Sequence, residues 1–357
     1  MKLVRGTRFC GNIYPCSNFN EIGMFDIITI GTATRDVFLT GAAIKVLKDP
    51  EHLKEIGFIE GEAECFALGA KLEVGEPIFT VGGGAANVAV TFARQGWKTA
   101  ALVRVGDDEA GEAVIRHLGA ERVKVLAVKD AQKHTAYSTI LLTGAGERTV
   151  LVYRGASEGW RERDIPPRKL QARWLYIAPG NVPLNLMQKV VRQAKVRGIQ
   201  VAMNPSGAYA AMGAVRLKPL LALLDVVVVN REEASLLTGV EYRNVRGIFK
   251  KFDDLVPGIA VMTDGPRGAF ASDGRYLYSA GIFKEKKLVD RTGAGDAFGS
   301  GFVAGLMRKH DVHYALRLAA ANAASVVERV GAEAGILRQK DFGGKRWRYV
   351  DLGVEPL

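Results

Sequence analysis

Asp290-Arg-Thr-Gly-Ala-Gly-Asp296-Ala-Phe-Gly-Ser-Gly-Phe302 joins a glycine-rich turn to an acidic residue at the start of an expected helix. Gly293 and Gly295 permit turn conformations closed to other residues and let a ligand approach the backbone. The helix that follows presents unpaired N–H groups to an anion. Asp296 stands where a base can reach a hydroxyl, so the combination suits phosphoryl transfer. A carboxylate is also favourable at a helix N-terminus for local reasons. Taken alone, the stretch reads more often as a capped turn than as an active site.

The flanking chain alternates strands with helices. Phe25–Gly31 reads as a buried strand ended by glycine, and Thr99–Gly106 as a second, followed by an acidic first helical turn at Asp107, Asp108 and Glu109. Further strands are expected at 174–178, 199–203, 226–229 and 259–262, and helices at 184–197, 215–224, 232–237 and 245–252. Two helices, about 293–309 and 311–330, follow the opening motif. This order predicts an α/β fold, a parallel-rich sheet with helices on both faces in three αβα layers. Two excursions, about 32–81 and 135–153, interrupt it, the second turning at Gly144-Ala-Gly146. Paired as a small β-sheet over the C-terminal edge of the main sheet, they would form a lid. The expected organisation is a variable extension over 1–24, with Met24 as an alternative start, a main domain over 25–340, and a tail over 341–357.

Composition narrows the class. Hydrophobic residues are 48% and charged residues 24% of 357, values that fit a globular domain with a large core. No apolar run approaches the ~18 residues of a membrane span, and residues 1–24 lack an export signal, so the expected location is the cytoplasm, with no membrane partner. Cys10, Cys16 and Cys65 are too few for a disulfide framework or zinc site. The net charge of +11 is spread along the chain without aromatic-interleaved clusters, which argues against nucleic acid and for a field that attracts an anionic substrate. Lys345-Arg-Trp-Arg-Tyr349 is the local exception, read as a solvated tail.

Other constellations carry chemistry in the same way. Gly82-Gly-Gly-Ala-Ala-Asn87 opens another helix, where Asn87 either binds polyol hydroxyls or caps the helix. Asp36 is a candidate hydroxyl acceptor or a surface loop residue. Asn230-Arg-Glu-Glu233 ends a valine strand, and Glu233 either holds a hydrated magnesium or belongs to a helix cap. Thr263-Asp-Gly-Pro-Arg-Gly268 is a nucleotide-binding turn or a hairpin connection. A Walker loop is absent, as is a G-x-G-x-x-G after the first strand, so P-loop and dinucleotide-binding readings fail.

In this order and spacing, the segments resemble the ribokinase-like, phosphofructokinase B family of sugar and nucleoside kinases over about residues 25–337. The resemblance implies that Asp296 is the catalytic base and that the Gly293, Ala294 and Gly295 amides form an anion hole for the transferring phosphoryl group. It implies sugar contacts from Asp36, Gly83, Gly84 and Asn87, and ATP contacts from Asn230, Glu233, Thr263, Gly265 and Gly268. Asn322 lies where members often contact adenine. Glu233 would hold Mg2+ through water. Asp290 and Thr292 match positions that hold a monovalent cation in some members, which leaves potassium activation open. Arg154 resembles an arginine that grips a sugar-acid carboxylate in one branch, with an exposed lid arginine as the plainer reading.

The expected function is ATP-dependent phosphorylation of a sugar or sugar acid by a carbohydrate kinase. The alternatives are a nucleoside kinase, suggested also by Glu147-Arg-Thr149, and a non-catalytic sugar-binding regulator on the same fold. A nicotinamide-dependent oxidoreductase would need a strand-linked fingerprint that the sequence lacks. A homodimer through the lid is a further expectation.

Overall fold

The computed structural model describes residues 24–40, 45–56, 61–142 and 148–357. The expected extension before Met24, the turn at Gly144-Ala-Gly146 and Glu147 lie outside the described residues. The chain begins with β1 (Phe25–Gly31) and leaves it for an excursion that contributes β2 (Thr34–Leu39), the hairpin of β3 (Lys45–Lys48) and β4 (Glu62–Cys65), and β5 (Ile78–Gly82). It returns as β6 (Thr99–Gly106), followed by the short β7 (Lys124–Val125) and β8 (Val128–Asp130). A second excursion supplies β9 (Tyr137–Leu142) and β10 (Arg148–Tyr153). After it come β11 (Ala172–Ala178), β12 (Gln200–Met203), β13 (Val226–Asn230), β14 (Ile259–Thr263), β15 (Ala269–Ser272), β16 (Tyr276–Ala280) and β17 (Leu352–Pro356).

The main sheet runs β17-β16-β15-β14-β13-β12-β11-β1-β6-β7, with β8 beside β6. Strands from β7 to β14 pair in parallel, and β14 to β17 pair antiparallel at one edge. Period-two alternation divides the strand side chains between two cores. Val226 and Val228 of β13 face one core, and Val227 and Val229 the other. Helices Leu184–Val196, Gly213–Leu221 and Val245–Asp253 cover the second of these, while Gly84–Arg94, Ala294–Lys309 and Val312–Val326 cover the opposite face. The expected three-layer α/β fold is thus the observed one.

Both excursions meet in one four-stranded sheet, β10-β9-β2-β5. Asp36 on β2 pairs in register with Thr80 on β5 and Ser138 on β9. Because β1 lies between β6 and β11, the order in which successive strands are added reverses there while all stay parallel, and the crevice at the C-terminal ends of these strands is where open α/β sheets bind ligands.

One expectation needs correction. The residues from 345 to 349 are not a solvated tail: Trp347 is buried against Phe283, with ring centroids 5.2 Å apart, and the chain continues into β17 at the sheet edge. Arg346 spans its surface, 4.1 Å from the Trp347 ring, while pairing with Glu328. A charged flank therefore conceals a buried indole. The turn from Thr263 to Gly268 is the hairpin connection between β14 and β15, tightened by the 3-10 turn Gly265–Arg267.

Candidate active site

The site is built from the C-terminal ends of β1, β11, β13 and β14 and the N-termini of three helices. Helix Ala294–Lys309 starts at Gly293, whose φ of 77° places it in the left-handed region that glycine adopts without strain. No side chain caps this helix. Its first amides therefore keep their affinity for an anion, aided by the helix dipole. The Ala294 amide already reaches the Arg291 carbonyl at 3.3 Å, so the exposed Gly295, with no atom near the place of a missing side chain, is the most open part of this turn.

Asp296 lies in the first turn of that helix, between two partners. Asn87 Nδ2 donates to Asp296 Oδ2 at 2.8 Å, across 209 residues of sequence. Asp296 Oδ1 faces Gly84, where a Cβ would stand 3.7 Å away and 2.8 Å from the Ala178 side chain. The absence of a side chain at 84 leaves this oxygen accessible. Burial pushes the Asp296 carboxyl above its ordinary value, and the Asn87 amide pulls it partly back. Desolvation is the ordinary way to give a carboxylate useful basicity near neutral pH.

Helix Gly84–Arg94 carries Asn87 on its buried face. Thr32, just beyond β1, fixes its entry: its hydroxyl accepts from the Gly84 amide at 3.0 Å and its carbonyl accepts from Ala85 at 3.0 Å. The Asp36 carboxylate packs directly against Gly82, so close that a Cβ there would lie 2.0 Å from Oδ2. Thr34 donates to Asp36 Oδ1 at 2.7 Å, and burial raises the Asp36 carboxyl despite Thr34, Ser138 and Arg35.

On the other side, Asn230 and Glu233 form a reciprocal capping box at 2.8 and 3.0 Å. Burial raises the Glu233 carboxyl, the Asn230 amide lowers it, and the charges of Glu232 and Asp296 raise it further. Cap and site are therefore one feature: Glu233 caps its helix and senses Asp296.

The pfkB family carbohydrate kinase model matches residues 54–339, most of the chain and every part of this site from Gly82 onward. The chain belongs to this family. Among curated proteins, this kinase is 28% identical to a ribokinase of Haemophilus influenzae over 262 residues, 71% of this chain and 83% of that protein. It is 27% identical to a cytidine kinase of Thermococcus kodakarensis over 264 residues, 72% of this chain and 91% of that one. Among solved structures, Arabidopsis thaliana ribokinase complexed with ribose and ATP superposes with a TM-score of 0.71 at 20% identity, covering 91% of this chain and 99% of that chain. Adenosine kinase from Sinorhizobium meliloti gives 0.72 at 21%, covering 89% and 98%. These two establish the shared fold. As a family member, the chain is a phosphotransferase acting on a sugar or a nucleoside, with ATP as donor and a magnesium requirement.

Several expected site residues have different roles in this kinase. Asn322 is fully buried and is removed from the nucleotide-binding set: its Nδ2 donates to the Ala297 carbonyl at 2.9 Å, and its Oδ1 accepts from the Leu337 amide at 2.9 Å. Its amide joins the helix carrying Asp296 to the segment after Gly331. Asp290, 1% exposed, accepts from the Thr292 amide and hydroxyl at 2.9 and 2.6 Å and from the Gly331 amide at 2.9 Å. This brace sets the turn at Gly293, whose missing side chain would collide with Ala332. Arg154, after β10, is exposed and heads the 3-10 turn Gly155–Ser157.

A charged cluster beside the expected nucleotide turn was missed in the sequence. Asp264, buried, accepts from Arg231 at 2.5 Å and from Arg267 at 2.7 and 3.0 Å, and Tyr242 lies under both guanidiniums at 4.6 and 6.0 Å. Burial alone would raise the Asp264 carboxyl, but Arg267 and Arg231 outweigh it and hold it below its ordinary value. Arg231 and Arg267 were both inside quoted motifs. Their charge was the available signal, passed over because the glycines and amides beside them drew the reading.

Proposed function

We propose that this kinase transfers the γ-phosphate of ATP to a hydroxyl of a sugar or sugar acid, with Asp296 as general base and the backbone of Gly293, Ala294 and Gly295 as the anion hole. The observation that carries the reading is the state of Asp296. One carboxylate oxygen is fixed by Asn87, the other faces the space left by Gly84, and the carboxyl is desolvated. An acceptor hydroxyl placed there gives its proton to Asp296 as its oxygen attacks the phosphorus. The uncapped helix N-terminus receives the charge that develops on the phosphoryl oxygens.

Asp36, Gly83, Gly84 and Asn87 are assigned to the acceptor, and Asn230, Glu233, Thr263, Gly265 and Gly268 to ATP. Glu233 fits water-mediated magnesium, because a cation there relieves its crowding with Glu232 and Asp296. When bound, magnesium neutralises phosphate charge. The potassium expectation finds both carboxylate oxygens of Asp290 already engaged, and no step is assigned to a monovalent cation. Arg154 would reach a carboxylate if the acceptor is a sugar acid. The four-stranded sheet would close over the acceptor as a lid, and its exposed Phe79, Leu151 and Val152 suit pairing with a second copy.

A nucleoside acceptor is the second reading, favoured by the similarity to the cytidine kinase and to a nucleoside kinase of Methanothermobacter thermautotrophicus at 25% identity. ADP release from ATP and magnesium, measured against sugars, sugar acids and nucleosides, separates the two. Turnover with a sugar or sugar acid supports the proposal, turnover with nucleosides alone replaces it, and acceptor binding without turnover would reveal a non-catalytic regulator.

A further inference from the structure

Helix Ala294–Lys309 carries Asp296 at one end and, about 18 Å away by its rise per residue, Arg308 and Lys309 at the other. Beyond this end lies a groove of about 400 Å³, between this helix, Val312–Val326 and the docked C-terminal segment. Four cations line it: Arg308, Lys309, Arg317 and Arg348. None of its lining residues is a carboxylate, and none of the four cations has an ion-pair partner among the described residues. Glu328, which is close in sequence to the groove's helix, is engaged by Arg346.

Two of the cations are held in place by neutral contacts. Arg308 donates to the Gln95 carbonyl and lies 5.4 Å from the Trp97 ring. Arg317 is half-buried between Tyr314 and Phe342, at 5.5 and 5.2 Å, and its Nη1 donates to the Arg348 carbonyl at 3.3 Å. Its Nε is buried without a hydrogen-bond partner. Aromatic faces hold guanidiniums well but do nothing to cancel their charge. Like charges gathered around one concavity repel each other and favour an anion there.

We propose that this groove is a second anion site, separate from the catalytic centre, that takes a small phosphate-bearing anion of more than one charge. Fixed guanidiniums match phosphate oxygens geometrically, and the groove falls in the size range of small-ligand sites. The proposal does not depend on the identity of the acceptor.

The test is calorimetric titration of the full chain with inorganic pyrophosphate, free of magnesium and at constant ionic strength. Lys309→Gln/Arg348→Gln removes two exposed charges, and its melting temperature verifies the fold. Gly295→Asp places a carboxylate in the proposed catalytic anion hole, where a side chain meets open space. The expected result is a saturable site that weakens roughly tenfold or more in the double variant and persists in Gly295→Asp. Binding unaffected by the double variant, binding lost in Gly295→Asp, or no saturable binding overturns the proposal.

Discussion

At the residue scale, Asp296 and Asn87 act as a pair. As the proposed base, Asp296 works only when ionised, so activity is expected to fall as pH drops through its carboxyl, which burial has raised. Asn87 stabilises the ionised form through one hydrogen bond. Asn87→Leu is therefore expected to move the acid limb of the kcat/KM profile to higher pH. An unchanged limb in the folded variant would mean that another group titrates. The same shift has a stability consequence. A carboxyl whose folded value lies above its unfolded value makes the fold more stable as pH drops toward that unfolded value, and its ionised form is a cost at neutral pH. Asp296→Asn removes that cost, and calorimetry at pH 7 should find melting raised by about 2 °C. Asp264 has the opposite sign. Held below its ordinary value by Arg267 and Arg231 against its own burial, it contributes stability above its unfolded value that is lost as pH falls through the folded one.

At the element scale, β1 and β6 were legible because each is a mostly apolar stretch ended by glycine. The valine run of β13 located the Asn230–Glu233 corner, and the capping box explains why: the residues that end the strand also start the helix. The antiparallel edge was not legible, since β15 and β16 are only four and five residues long and take their partners from the fold. Asn322 misled for a physical reason. Its place in the chain matches where family members often contact adenine, yet its amide satisfies buried backbone groups at Ala297 and Leu337. Asn322→Ala leaves both unpaired and should cost about 2–4 kcal/mol in denaturant unfolding, while the KM for ATP in the folded protein stays unchanged. A raised KM with normal stability would return Asn322 to the nucleotide site.

At the scale of the whole molecule, three distant stretches converge: residues 82–87, 230–233 and 290–296. Their order along the chain was legible, and their convergence required the strand order that puts β1 between β6 and β11. The exposed apolar side chains on β5 and β10 belong to this scale too. Leu151, at 57% exposure, and Phe79, at 55%, lie on the four-stranded sheet, and sedimentation should find a dimer that Leu151→Lys dissociates. A monomer at micromolar concentration would leave that face to the lid alone. The central claim is that Asp296 takes the proton from the acceptor, and single-turnover phosphoryl transfer by Asp296→Asn, with the acceptor found in the ADP-release screen, tests it most directly. The expected loss is roughly 10²- to 10⁴-fold in the chemical step, with ATP binding retained. Transfer at the wild-type rate by the folded variant would contradict it.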